Sequence, residues 1–162
     1  LKLSHLMRYM LYESEQDKVV LSEEIAYLED FVQLQQMRLS EEYRVEVDMQ
    51  VTGENYDQNT IAPMILIPYI ENAFKHGISL IGESFIDIKL SLREGVLSLM
   101  VSNTVRENSE ATHMDKKNSG VGLENVNKRL AMIYPGKYAL DIISRKHTYH
   151  VNLELTLLWS KQ

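Results

Sequence analysis

Two runs, Phe85 to Leu92 and Val96 to Asn103, alternate apolar and polar residues on either side of Glu94-Gly95. Period-two alternation puts every second side chain on one face, so the pair predicts a β-hairpin with one buried side. That hairpin constrains everything else, because its apolar face needs a second layer. Arg44 to Val51 alternates as another strand and stops at Gly53, and Ala139 to Ser144 and Tyr149 to Leu158 close the chain as two more. A helix is expected from Ser22, its cap, to about Leu39, with Glu23 and Glu24 at its positive end and Ile25, Leu28, Val32 and Leu39 near one face. A second should occupy roughly Ala62 to Ile78, where Pro63 suits the start and Pro68 delays or kinks the first turn. The third should run from Gly122 to Tyr134 and end at Pro135-Gly136. Leu3, Leu6, Met7, Met10 and Leu11 repeat at helical spacing as an amphipathic preface that needs a partner. Arg106 to Ser119 is polar and aperiodic, which predicts a long loop. The expected fold is an α+β two-layer sandwich. Its sheet would be mixed, mostly antiparallel and of about five strands, with about three helices on one face and an N-terminal helical segment.

At 162 residues this is one ordinary domain, and 44% apolar content is enough for a real core. A net charge of −6 argues against a nucleic-acid surface, which needs clustered Lys and Arg. The absence of cysteine excludes disulfides, thiolate metal sites and cysteine nucleophiles, and suits a reducing cytoplasm. The longest apolar stretch, Met64 to Ile70, contains Pro68 and is far short of the ~20 residues of a membrane span. The chain opens at Leu1 within a helical pattern and reads as a fragment of a longer protein.

The chemistry gathers on Glu71-Asn72-Ala73-Phe74-Lys75-His76-Gly77. With Glu71 at zero, Asn72, Lys75 and His76 fall at about 100°, 40° and 140° around a helix. Leu66, Ile67, Ile70, Ala73 and Phe74 fall opposite, so one face packs on a sheet and the other gathers four polar groups. Most such faces are simply solvated. Asn, however, is a mediocre mid-helix residue that a surface face does not need. Its oxygen suits Mg²⁺, Lys75 suits phosphate, His76 can donate a hydrogen bond, and Glu71 can act as a general base. Glu71 and His76, five residues apart, diverge too far to favour a transition-metal pair. Gly120-Val121-Gly122, at the start of the third helix, would offer free N–H groups to a phosphate. Alone it is more often a flexible turn. It lacks the G-K-[ST] of a P-loop and the third glycine of a dinucleotide fingerprint.

Pro63 through Gly77 (P-M-I-L-I-P-Y-I-E-N-A-F-K-H-G) resembles the N box of sensor histidine kinases. Gly120 through Leu130 (G-V-G-L-E-N-V-N-K-R-L) resembles their glycine box. Leu3 to Tyr9 and Val20 to Glu24 are similar to the segment joining dimerisation helices to the ATPase domain. Within the family the resemblance is to sensors that pair with LytTR-type response regulators, typified by autolysis-regulator sensors. It implies a Bergerat (GHKL) ATPase fold holding ATP under a lid, with residues 1–20 as dimerisation-helix end and connector and 21–162 as the ATP-binding catalytic domain. By position, Asn72 would hold Mg²⁺, Lys75 and His76 would lie at the nucleotide, and Glu71 would help deprotonate an acceptor histidine. Gly120 and Gly122 would shape the lid hinge, with Leu123 near the phosphates.

Two departures stand out. The usual D-x-G that reads the adenine amino group is here Asn103-Thr104-Val105, whose Asn carbonyl can still accept from that group. An acceptor-histidine motif resembling N-P-H-F is absent, and His5, His113, His147 and His150 read as surface histidines. The resemblance therefore implies an ATP-dependent protein-histidine kinase domain. It would transfer the γ-phosphoryl to a histidine on a dimerisation helix outside this fragment, and thence to a response-regulator aspartate. ATP and Mg²⁺ are the implied cofactors, and the intact protein would be a homodimeric, membrane-anchored sensor with this domain in the cytoplasm. The alternatives are a degenerate nucleotide-sensing or partner-binding domain, and an ATPase or protein-serine kinase of the same fold.

Overall fold

The computed structural model describes residues 2–13, 15–40, 43–51, 58–78, 83–105 and 113–157, of which 113–121 by backbone course alone. Strands β2 (Arg44–Gln50), β4 (Phe85–Arg93), β5 (Val96–Thr104), β6 (Tyr138–Ser144) and β7 (Thr148–Thr156) form one sheet in the order β2-β4-β5-β7-β6. The β2–β4 pair is parallel and every other pair antiparallel, so the sheet is mixed as expected. Helices α1 (Lys2–Arg8), α2 (Leu21–Gln36), α3 (Ile67–Gly77) and α4 (His113–Ile133) complete the α+β fold, with a π-helical turn, Tyr9–Glu13, continuing α1. A two-stranded ribbon, β1 (Val19–Val20) with β3 (Thr60–Ile61), escaped the sequence reading because two residues are too few to show a period.

Alternation builds the layers. Ile86, Ile88 and Leu90 of β4, Leu97, Leu99 and Val101 of β5, and Val151, Leu153 and Leu155 of β7 are all buried. They share the core with Ile67, Ile70 and Ala73 of α3 and with Val126 and Leu130 of α4. On the other face Lys89, Met100 and Asn152 are exposed, so the sheet is covered on one side only. The β4–β5 turn places Glu94 and Gly95 at φ +50° and +77°, the paired left-handed geometry that matches strand twist.

Two helix starts differ from expectation, and that of α3 takes the delayed alternative. Helix α2 begins at Leu21 without a side-chain cap, because the Leu21 N–H donates to the Asn59 carbonyl at 2.9 Å. Ser22 therefore lies inside the helix. Helix α3 is delayed to Ile67, and Pro68, which has no N–H to satisfy, sits in its first turn. Between Pro63 and the helix, Met64 adopts φ +58°, a left-handed conformation costing a residue with a side chain roughly 1–2 kcal/mol. Helix α4 begins at His113, so the part of the expected loop from 113 onward is helical, and residues 106–112 lie outside the described residues.

Candidate functional site

Helix α3 presents the arrangement its periodicity predicts. Glu71, Lys75 and His76 are exposed and Asn72 half-buried, while Ile67, Ile70, Ala73 and Gly77 are buried. Phe74 is half-buried, edge-on to Phe31 with ring centres 6.2 Å apart. Partial desolvation raises the Glu71 pKa above the ordinary carboxylate value, a useful direction for a base.

The last turn of α3 abuts the end of β5. Thr104 Oγ1 donates to the Gly77 carbonyl at 2.8 Å and accepts the Phe85 N–H at 3.3 Å, closing the helix end onto the sheet. Asn103 points into the interior and is only 1% exposed. Its Nδ2 donates to the Thr104 carbonyl at 2.8 Å, which leaves Oδ1 buried and without a hydrogen bond among the described residues. A buried acceptor left unpaired costs about 1–3 kcal/mol, so it calls for a donor. The exocyclic amino group of adenine is such a donor.

Gly77 makes this closeness possible. A Cβ there would lie 2.8 Å from the Asn103 Cβ and 3.1 Å from Ile86 Cγ1. The Asn103 Cβ is fixed to its strand and cannot rotate away. Gly77→Ala is therefore expected to destabilise by about 1–3 kcal/mol through overpacking, lowering Tm by roughly 2–4 °C per kcal/mol. It should also push Asn103 aside. Thermal melting and the NMR shifts of the Asn103 side-chain amide check both effects.

The glycine box sits differently from expectation. Gly120 and Gly122 lie within α4 rather than at its start, so their N–H groups belong to a helix interior and form no open cradle. Gly122 is exposed, with open space where a Cβ would stand, and Leu123 is half-buried against the core. Further along, α4 and the residue after it are tied to α3 and the segment leading into it. Tyr69 donates to Asn127 Oδ1 at 2.9 Å, Arg129 to the Pro63 carbonyl at 2.7 Å, and the Ala62 N–H to the Tyr134 hydroxyl at 2.8 Å. The structure thus brings α3 and Asn103 together and joins the far half of α4 to α3 and the segment before it.

Two histidines are less exposed than expected. His5 is half-buried and pairs with Asp30 at 2.7 Å, and His150 is half-buried and bonds Ser102 at 2.8 Å. His147 is exposed, as expected, whereas the His113 side chain lies outside the described residues. Sequence reasoning also missed the burial of Glu24, expected only as a favourable charge at the positive end of its helix and found fully buried. Its signal was present: Leu21, Glu24, Ile25, Leu28 and Val32 share one helical stripe, with a carboxylate among the apolar residues.

Among the described residues no group of three His, Cys, Asp or Glu side chains can hold a metal ion. Asn72 fits a Mg²⁺ that arrives with phosphate oxygens and keeps its waters. Among the described residues no helix is long and apolar enough to cross a membrane.

A family model described as histidine kinase matches residues 1–43. The chain is 31% identical over 159 residues to the sensor protein kinase HptS of Staphylococcus aureus, an alignment covering 90% of this chain and 29% of that protein. It therefore spans under a third of the length of that curated relative. The histidine kinase domain of the Erythrobacter litoralis EL346 blue-light activated histidine kinase shares the fold, with TM-score 0.57 and 13% identity over 96% of this chain and 79% of that one. So does the catalytic domain of histidine kinase ThkA, with TM-score 0.51 and 16% identity over 86% of this chain and 93% of that one.

Proposed function

We propose, from the premise that this chain is a relative of the sensor histidine kinases with the fold of their catalytic domains, that it binds Mg·ATP and presents the γ-phosphoryl to a histidine elsewhere in its protein. A response-regulator aspartate would then receive the phosphoryl group. The observation that carries this reading is the orphaned, buried Oδ1 of Asn103 beside the helix that bears Glu71, Asn72, Lys75 and His76. Asn103 accepts from the adenine amino group, doing with an amide what a carboxylate would otherwise do. Asn72 holds the metal, Lys75 meets phosphate, and His76 donates from the next position. When bound, Mg²⁺ supplies charge neutralisation at the transferring phosphoryl group. Glu71 takes the proton of the acceptor imidazole.

Gly120, Gly122 and Leu123 cover the phosphates once the first turns of α4 rearrange. Glycine costs about 1 kcal/mol relative to alanine in a helix, which favours that rearrangement here. The intact protein would be a homodimer anchored at a membrane with this domain in the cytoplasm, and its regulator would be of the LytTR type.

The test is base selectivity. Guanine carries a carbonyl where adenine carries the amino group, so Asn103 Oδ1 would face an oxygen. In calorimetric titration with Mg²⁺, ATP should bind at least about tenfold more tightly than GTP. Asn103→Leu should abolish that preference. Equal affinity for the two nucleotides would remove the reading of Asn103, and no binding by the folded protein would favour a partner-binding domain.

A further inference from the structure

The N-terminal helix reaches the base of α3 through one buried carboxylate. Oε2 of Glu24 accepts the Tyr9 O–H at 2.5 Å and the Met64 N–H at 3.0 Å. Tyr9 begins the π-helical turn that continues α1, and its ring stacks on Tyr27 with centres 4.5 Å apart. Met64 is the left-handed residue shortly before α3. A π-turn on one side and a strained backbone on the other meet at a single oxygen atom.

We infer that Glu24 is a positioning residue: by holding Met64 left-handed it fixes how α3 enters the domain, and so where Asn72 and Lys75 stand relative to Asn103. The role in binding rests on the nucleotide reading above. Non-glycine residues stay left-handed only where their surroundings over-determine them. Around Met64 those surroundings are identifiable. Tyr134 holds the Ala62 N–H, Arg129 holds the Pro63 carbonyl, and Glu24 holds the Met64 N–H. Leucine at position 24 would suit the apolar stripe of α2 and escape desolvation, so a carboxylate there needs its hydrogen bonds to explain it. Tyr9 shares the oxygen, so a shift of the π-turn changes how firmly Met64 is held.

Amide hydrogen exchange of the nucleotide-free protein tests this, alongside ATP titration. Glu24→Leu should raise exchange across residues 64–69 by at least about tenfold with the β4–β5 amides unchanged, and should weaken ATP by about tenfold. Glu24→Gln keeps one acceptor oxygen and should stay within about threefold of wild type on both readouts. Met64→Gly removes the left-handed cost, so the Glu24→Leu/Met64→Gly protein should regain near wild-type exchange at α3. That double variant also decides the matter if Glu24→Leu does not fold; raised exchange at 65–69 in it overturns the inference. So does Glu24→Leu exchange that matches wild type, or rises equally throughout. If wild type binds no ATP, the nucleotide reading fails and the exchange arm still decides the role of Glu24.

Discussion

Asn72→Ala is expected to weaken Mg²⁺-dependent ATP binding by roughly 100-fold while leaving the fold intact. The two halves of that expectation have separate grounds. Asn72 is half-buried on the polar side of α3, and none of the hydrogen bonds and ion pairs that hold the described residues together involves its amide. Removing that amide therefore takes no such bond from the described residues, and alanine is the better helix former by a few tenths of a kcal/mol. Melting should stay level or rise slightly. Binding should fall, because the metal would lose its one protein ligand on this helix. Titration with and without Mg²⁺ checks it; an Asn72→Ala protein that binds Mg·ATP within about threefold of wild type would refute the ligand role.

Glu71→Gln should act on a different step. In the protein carrying its acceptor histidine, single-turnover phosphoryl transfer should slow by about 10²–10⁴-fold with ATP affinity unchanged. Gln keeps the size and polarity of Glu71 and loses only the capacity to take a proton. The pH dependence follows from the raised pKa. A base works deprotonated, so transfer should fall as pH drops through that pKa, on a limb lying above the ordinary value of 4.5. Glu71→Gln should flatten that limb. A variant with the wild-type rate and profile would leave Glu71 a surface residue.

What the sequence disclosed follows from which signals are local. β4, β5 and β7 alternate because one face is buried and the other wet, and the boundaries of all five sheet strands fell within a residue or two of the structure. The polar arc of α3 was equally legible from 3.6-residue periodicity. Asn103 was noticed because it stands where the family that the chain resembles usually has an Asp. Only packing shows that its Oδ1 is orphaned and its Nδ2 committed to Thr104. Thr104 and Gly77 were invisible as a pair because they lie 27 positions apart and meet through a carbonyl. The start of α2 was misplaced for a similar reason: the donor was capped by the distant Asn59 rather than by the adjacent Ser22. Glycines at 120 and 122 argued for a helix start, and the backbone runs helically through both. Local propensity was overruled there.

The single parallel pairing also dictates when the site can come into being. β4–β5 and β6–β7 are hairpins that can zip from tight turns, whereas β2 must close on β4 across residues 51–84. Helix α3 lies inside that long closure. On a growing chain its last turn therefore gains its fixed partners, Asn103 and Thr104, only after β5 has emerged and paired. The pocket proposed for the nucleotide is then a late product of folding, so chains stalled before β5 would carry the polar face of α3 with no capacity to hold a base.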